Sequence, residues 1–448
     1  MQLCYFLGAV ATVAALFLGA HVFGILDVVL RRRRVLVVGS INVDLYQRLS
    51  ETSVTIDGND VDVKSVKGMT LPAASFVDAV CTKCQPGREE EHVLRLVGPF
   101  TQKTGGKGAN AAAAAGQTFP SEFIGNLGST SADANLELLA DLRTYGAVSV
   151  SRCAVLDGIP TGTAYILLFR DSDNAIVLLG GANQRWPSAE ALLTGAEGAA
   201  LRRAVASSAT VMLQREIPPH VNVAVAQLAH AMGAPVFMDV GGTDAPIDSA
   251  LMPYLSVVAP NESELSFISG VQTHDGGTIR LDRVRHAVAA LRARFAEATR
   301  ASPCVEVLVT LGGVGSIHFG ADWEPTDHPD AHETWMGVFA LGTPDGQPVD
   351  TTGAGDCFRG SYVAARYGEG KSVWQAMRWA AAAASLSVEV EGAMPSMPAR
   401  RAIEARAQAP LLGLDGPFWQ EEPPPPVAPP SKRRPGRSPA PRRRTSSS

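Results

Sequence analysis

Short, wholly apolar runs rich in β-branched residues alternate with helix-length segments along most of this chain, and that alternation restricts its fold more than any other feature. Val35-Leu-Val-Val-Gly39 is the first run, closed by a glycine. A strand that is apolar at every position has both faces covered, the condition of a parallel sheet flanked by helices. Ser121–Leu127 reads as the next strand and Ser131–Tyr145 as a helix with capping residues at its start. Thr163–Leu168 and Ala175–Leu179 enclose Asp171-Ser-Asp-Asn174 as a hairpin. Strands at Val211–Leu213, Val236–Asp239, Leu255–Ala259 and Val305–Thr310 then alternate with helices at Val221–Met232 and Arg283–Ala298. The expected fold class is α/β: a mostly parallel central sheet sandwiched by helices, with ligands on the loops at the carboxyl ends of the strands.

With 448 residues, 46% of them hydrophobic, the chain can bury a large core. Its charge is unevenly spread. The net charge is −5, but residues 421–448 hold seven Lys/Arg against two Glu and residues 1–34 hold four Arg against one Asp, which leaves −13 on the span 35–420. So acidic a body excludes a nucleic-acid-binding domain, which needs a basic face. The six cysteines (Cys4, Cys81, Cys84, Cys153, Cys304, Cys357) lack a disulfide-framework spacing and suit a reducing compartment. Cys81-Thr-Lys-Cys84 has only His92 as a neighbouring ligand, too few to complete a zinc site.

Both ends differ from the body. Leu3 to Leu26 contains no Asp, Glu, Lys or Arg, long enough for a helix to cross a hydrocarbon core of ~30 Å. With Arg31–Arg34 behind it, the segment at residues 3–30 is expected to be either a membrane anchor or a dispensable extension of a soluble body. A cleaved signal peptide fits poorly, because no basic side chain precedes the apolar run. Glu421–Ser448 contains Pro423–Pro426 and ends in Arg442-Arg-Arg-Thr-Ser-Ser-Ser448, the composition of a disordered basic tail. The division is therefore residues 1–34, a body at 35–420 and a tail at 421–448.

The residues that carry chemistry fall on loops. Asp350-Thr-Thr-Gly-Ala-Gly-Asp356-Cys-Phe-Arg-Gly360 leads into a helix expected at Ser361–Tyr367. Small residues ahead of a helix let successive N–H groups converge on one point, where the helix dipole adds positive potential. Gly353, Ala354 and Gly355 would make such an anion pocket. Asp356 beside it suits a general base for phosphoryl transfer to an alcohol, or else a helix cap. Gly39-Ser-Ile-Asn42-Val-Asp44 ends the first strand with two polar side chains on one side, suited to the hydroxyls of a polyol or to a plain turn. Gly105-Gly-Lys107-Gly108-Ala-Asn110 is a second glycine-rich loop, ahead of a helix at Gly108–Gly116. It lacks the Gly-x4-Gly-Lys-Ser/Thr spacing of a Walker loop.

Together these segments resemble the ribokinase branch of the ribokinase/PfkB carbohydrate kinase family, from about Val35 to Ala405. Gly105–Asn110, Ala259-Pro-Asn261-Glu-Ser-Glu264, Thr310-Leu-Gly-Gly-Val-Gly315 and Asp350–Asp356 stand in the family's order. The resemblance implies a three-layer α/β/α sandwich with a small β lid. It implies ATP-dependent phosphorylation of D-ribose at its 5-hydroxyl, feeding the pentose phosphate pathway and nucleotide synthesis. Asn42, Asp44, Gly106, Lys107, Gly108, Asn110 and Glu216 would surround the sugar, and Asp356 would take its proton. Backbone N–H groups of Thr352 to Gly355 would stabilise the moving phosphoryl group. Asn261, Thr310, Gly312, Gly313, Gly315 and Gly355 would hold ATP, with Ala381 near the adenine. Glu264 would place Mg2+ through water. Asp350, Thr352, Ser387, Val390, Gly392 and Ser396 match the family's K+ site.

The span from Asp44 to Gly105 is longer than the family pattern, so the lid, about residues 45–104, carries an insertion with Cys81, Cys84 and Glu89–Glu91. Relatives often form a homodimer through this lid, and the insertion bears on that contact. The kinase body is expected to be cytoplasmic, tethered to a membrane if residues 3–30 anchor it, with a nuclear location left open. D-ribose and ATP are the expected partners, and no nucleic acid. Another sugar or a nucleoside as acceptor, or a catalytically silent sugar-binding scaffold, are the alternatives.

Overall fold

The first strand, β1 (Arg34–Val38), shows why the sheet forms. Val35 and Val37 enter one core layer, Leu36 and Val38 the other, and all four are fully buried. The structure, a computed structural model, describes residues 34–49, 53–56, 59–63, 70–72, 100–169, 174–243, 245–300, 305–324, 333–412 and 419–420. Residues 1–33 of the expected N-terminal segment, the whole expected tail at 421–448, Cys81, Cys84, Glu89–Glu91 and Cys304 lie outside them; Arg34 opens β1.

In chain order β1 is followed in its sheet by β2 (Ser121–Ile124), β3 (Val148–Ser149), β4 (Ser208–Leu213), β5 (Val236–Asp239), β6 (Val257–Ala259), β7 (Glu306–Thr310), β8 (Ser316–Phe319) and β9 (Glu333–Met336). They lie side by side as β9-β8-β7-β6-β5-β4-β1-β2-β3. Neighbours from β3 to β7 are parallel, and β8 and β9 form an antiparallel edge. One face is covered by α1 (Lys107–Thr118), the helix Ala132–Gly146 and the helix Arg400–Arg406. The helices Pro219–Ala231 and Leu281–Thr299 and the shorter α2 (Glu262–Ser269) cover the other. Also on the α1 face are α3 (Ala354–Val363) and α4 (Val373–Ser387). The expected three-layer α/β/α sandwich is therefore present. The chain runs outward from β1 to β3, then crosses back to β4 on the far side of β1. The crevice between the ends of β1 and β4 is thus a switch point, where open α/β sheets bind ligands.

A second sheet stands beside the first, in the order Thr70–Pro72, Asn174–Leu179, Gly162–Leu168, Asn42–Arg48, Thr101–Gly105. It is the small β lid the resemblance implies, and its antiparallel pair Gly162–Leu168 and Asn174–Leu179 is the expected hairpin. Asn42 and Asp44 do not end the first strand, as expected, but open a strand of this lid. The chain leaves β1 at Gly39 because Asn183 holds the crossover. Its Oδ1 accepts from Ile41 N and its Nδ2 donates to Ile41 O, both at 3.1 Å. The expected helix Ser361–Tyr367 also shifts: α3 begins at Ala354 and gives way to a π-helical turn, Ala364–Gly368. Gly353, at φ 76°, supplies the left-handed residue that lets the helix start there, so Asp356 lies in its first turn. Among the described residues no helix is long and apolar enough to cross a membrane, and residues 3–30 lie outside them.

Candidate active site

The turns after β1 and β4 meet the loop ahead of α1 above the switch point. Ser40 Oγ donates to Glu216 Oε2 at 2.5 Å, and Lys107 N donates to the same oxygen at 3.2 Å. Gly108 N donates to Ser40 Oγ at 3.3 Å and Ala109 N to Ser40 O at 2.9 Å. The first N–H groups of α1 are therefore spent on Glu216 and Ser40. This contact requires backbone against backbone: a Cβ on Gly106 would stand 2.8 Å from Asn42 N, and its φ of 93° favours glycine.

Asn42 Oδ1 accepts from Asn183 Nδ2 at 2.7 Å. Asp44 lies against Gly105, and its Oδ1 is buried with no donor among the described residues; Asn110 Oδ1 is in the same condition. Burial, reinforced by Glu216 and Asp356, holds the Asp44 carboxyl well above its ordinary range. Burial also raises Glu216, against the opposing pull of Lys107 and Ser40. A cavity of about 390 Å³ opens beside Asn42 and Glu216, walled by Asn183, Arg215 and Met238.

Close packing of α1 on α3 completes the centre. Ala111–Ala115 are buried along α1, and Gly360 of α3 lies against the Ala111 carbonyl. Two side chains of α1 thereby reach Asp356: Lys107 Nζ donates to Oδ1 at 2.8 Å and Asn110 Nδ2 to Oδ2 at 3.0 Å. Lys107 Nζ also lies 3.2 Å from Asp239 Oδ2. Burial works against the Lys107 ammonium, yet Asp239 and Asp356 outweigh it and hold its pKa above the ordinary range. Arg359, buried one turn beyond Asp356, places Nη1 3.3 Å from Asp239 Oδ2 and Nη2 3.1 Å from Glu264 Oε2. Burial would raise Asp239, but Arg359 and Lys107 together hold it low.

The expected anion pocket needs one correction. Thr352 N donates to Asp350 Oδ1 at 2.9 Å and Ala354 N to Thr351 O at 3.2 Å, because the turn closes on itself. Those two N–H groups are taken. The N–H groups of Gly353, Gly355 and Asp356 have no acceptor among the described residues.

On the other expected half, Asn261 caps α2. Its Oδ1 accepts from Glu264 N at 2.7 Å, and Glu264 Oε2 accepts from Asn261 N at 2.8 Å. Asn261 pairs with Thr310, whose N donates to Pro260 O at 3.0 Å. Gly312 and Gly313 face open space, Gly315 lies against Met336, and Ala381 sits in the alanine-rich buried face of α4. Asp350 Oδ2 accepts from Gly392 N at 2.8 Å, tying its turn to the loop that holds Val390. Ser387 Oγ and Ser396 Oγ donate to the Ala384 and Ala393 carbonyls, while Thr352 Oγ1 is buried with no hydrogen-bond partner among the described residues.

Ser40, Asn183, Asp239 and Arg359 belong to this centre and escaped the sequence reading. A carboxylate closing the buried apolar run Val236-Phe-Met-Asp239, at the ligand end of its strand, was a usable signal. Arg359 lies three residues after Asp356 on one helix, the spacing of facing side chains.

The model of the pfkB family carbohydrate kinases matches residues 74–400. The chain is 36% identical to the ribokinase of Arabidopsis thaliana over 308 residues, 67% of this chain and 70% of that protein. It is 28% identical to the ribokinase of Bacillus subtilis (strain 168) over 340 residues, 76% of this chain and 99% of that one. The solved structure of Arabidopsis thaliana ribokinase complexed with ribose and ATP gives a TM-score of 0.61 at 30% identity, covering 85% of this chain and 100% of that chain. Cryptococcus neoformans var. grubii serotype A ribokinase in complex with ADP gives 0.58 at 25% identity, covering 84% and 99%. With the sandwich, its lid sheet and a match that spans most of the described body, the chain belongs to the pfkB family of carbohydrate kinases.

Proposed function

We propose that this chain transfers the γ-phosphoryl group of ATP to the 5-hydroxyl of D-ribose. One observation carries the reading: Asp356, gripped by Lys107 and Asn110, sits among backbone N–H groups with no acceptor of their own. A carboxylate base beside an anion pocket is what an alcohol needs to attack a phosphoryl group. The acceptor is a polyol, because Asn42, Asp44, Asn110 and Glu216 crowd a polar crevice in which two buried acceptor oxygens lack donors. Sugar hydroxyls supply those donors. Likeness to a ribokinase at 36% identity supports ribose over other sugars.

In the reaction, Asn110 fixes one oxygen of Asp356 while the other receives the 5-hydroxyl proton. The sugar oxygen bonds to the γ-phosphorus as the bond to the β-phosphate oxygen breaks, and ADP leaves with that electron pair. Lys107 and the N–H groups of Gly353, Gly355 and Asp356 meet the charge on the moving group. A positioned base contributes roughly 10²–10⁴ in rate and one anion-pocket donor roughly 10²–10³. Asn261, Thr310, Gly312, Gly313 and Gly315 hold the nucleotide, with Ala381 near the adenine.

Glu264 suits Mg2+ held through water: Oε2 is taken by Asn261 and Arg359, which leaves Oε1 for the ion's hydration shell. Bound there, Mg2+ supplies neutralisation of phosphate charge. The carboxylate, hydroxyl and carbonyl oxygens of Asp350, Thr352, Ser387, Val390, Gly392 and Ser396 suit a hard cation such as K+, which would order the turn that Asp350 already pins. In the lid, Leu168, Ile176 and Leu178 are apolar and only partly buried, and we place a homodimer contact there.

The test is ADP release by the full chain with ATP, Mg2+ and K+, offered D-ribose, D-fructose, 2-deoxyribose or adenosine. Ribose turnover that falls at least ~100-fold in Asp356→Asn, with ribose binding kept, is the expected result. Turnover of adenosine alone overturns the substrate, and none with any acceptor overturns the kinase reading.

A further inference from the structure

We propose that Arg359 is a positioning residue that couples the nucleotide half of the site to the sugar half by holding Asp239 and Glu264 on one guanidinium. The inference rests on the kinase reading above and extends it. Arg359 Nη1 lies 3.3 Å from Asp239 Oδ2 and Nη2 lies 3.1 Å from Glu264 Oε2. Asp239 Oδ1 is fixed by Gly241 N at 2.8 Å, and Oδ2 is shared with Lys107 Nζ at 3.2 Å. Lys107 in turn reaches Asp356 Oδ1 at 2.8 Å, and Glu264 reaches back to Asn261 N at 2.8 Å. An unbroken chain of charge-assisted contacts therefore runs from the proton-accepting carboxylate to the cap of the nucleotide loop.

Stability alone does not explain this chain. The Asp239 and Arg359 side chains are 1% and 3% exposed, and buried ion pairs are often matched or bettered by apolar groups of similar volume. What a guanidinium adds is geometry, since its planar fork serves two carboxylates at fixed separation where an ammonium is a single point. Arg359 also shares the charge of Asp239. Without it Lys107 would be, among the described residues, the only cation within bonding distance of Asp239 and would be drawn from Asp356, while Glu264 would lose the contact that orients it.

The experiment compares the full chain with Arg359→Met, Arg359→Lys, Glu264→Gln and Arg359→Met/Glu264→Gln, reading ribose and ATP kinetics across a Mg2+ series. Arg359→Met is expected to lower kcat by about 10–100-fold and to raise the KM for ATP and the Mg2+ requirement at least ~5-fold, with the KM for ribose within ~2-fold. Arg359→Lys restores thermal stability but not the ATP and Mg2+ constants. The double variant is no more than ~2-fold worse than Arg359→Met, because both remove one coupling. Wild-type constants in Arg359→Met, or losses that multiply in the double variant, overturn the proposal. If Arg359→Met does not fold, the same cycle run with Arg359→Lys decides, and additivity there overturns it. A wild-type chain that leaves ribose unphosphorylated overturns the kinase reading itself, and the coupling with it.

Discussion

Gly360→Ala is expected to inactivate this protein without unfolding it. A Cβ at position 360 would stand 2.3 Å from Ala111 O and 3.0 Å from Ala114 Cβ. Carbon and carbonyl oxygen settle at about 3.3 Å, so α1 and α3 must part by about 1 Å. The obstacle on α1 is backbone, which no rotamer change can remove. The same two helices carry Lys107 and Asn110 on one side and Asp356 on the other, joined at 2.8 and 3.0 Å. A 1 Å separation takes both contacts to about 4 Å, past hydrogen-bonding range. Misplacement on that scale costs on the order of 10²-fold in rate. Stability moves little: alanine gains about 1 kcal/mol over glycine in a helix, against roughly 1–3 kcal/mol for overpacking. The assay is ribose-dependent ADP release beside a thermal melt. A kcat near wild type at an unchanged melting temperature would refute the reasoning, since helix spacing would then not set the geometry of the base.

At a pH above the raised titration of Asp44, where it is ionised, Asp44→Asn is expected to raise the melting temperature by at least ~1 °C while weakening ribose binding at least ~10-fold, because it removes a buried carboxylate that repels Glu216 and Asp356. A melt that drops, with ribose affinity unchanged, would count against it. The raised carboxyls of Asp44 and Glu216 also set a pH dependence. The sugar-free protein holds protons there that the unfolded chain gives up at the ordinary values of 3.8 and 4.5, so this contribution to stability falls as pH rises from those values through the raised ones. Sugar hydroxyls donating to both groups favour their ionised forms, so at a pH between the ordinary and the raised values ribose binding releases protons. Calorimetry in two buffers of different ionisation enthalpy measures the release, and uptake would contradict it.

How far the sequence reached depends on which forces decide each feature. The buried strands were legible because apolar runs such as Val35–Val38 have no other stable placement. The glycine loops and Asp356 were legible because few chemistries need small residues and a carboxylate in that order. The start of α3 was misplaced by seven residues, since the left-handed turn at Gly353 that nucleates it is a local backbone choice hidden behind weak helix propensities. The strand identity of Asn42 and Asp44 depended on Asn183, about 140 residues away, gripping Ile41. Asp239 and Arg359 acquire meaning only when β5, α1, α2 and α3 converge, which no spacing within one segment could announce.

Lys107 and its partner Asp356 are 249 positions apart in the chain. A ribosome adding roughly 5–20 residues per second takes on the order of ten to fifty seconds to travel between them. The crossover at Asn42, the loop at Lys107 and the Glu216 turn are all synthesised before the proposed base, Asp356, exists. A chain halted between residues 216 and 350 carries every sugar-contacting group proposed above other than Asp356, and lacks the proposed base. On this reading competence comes late in the polypeptide's manufacture, waiting on α3 to close on α1 and on α4 and the 387–396 loop that follow it.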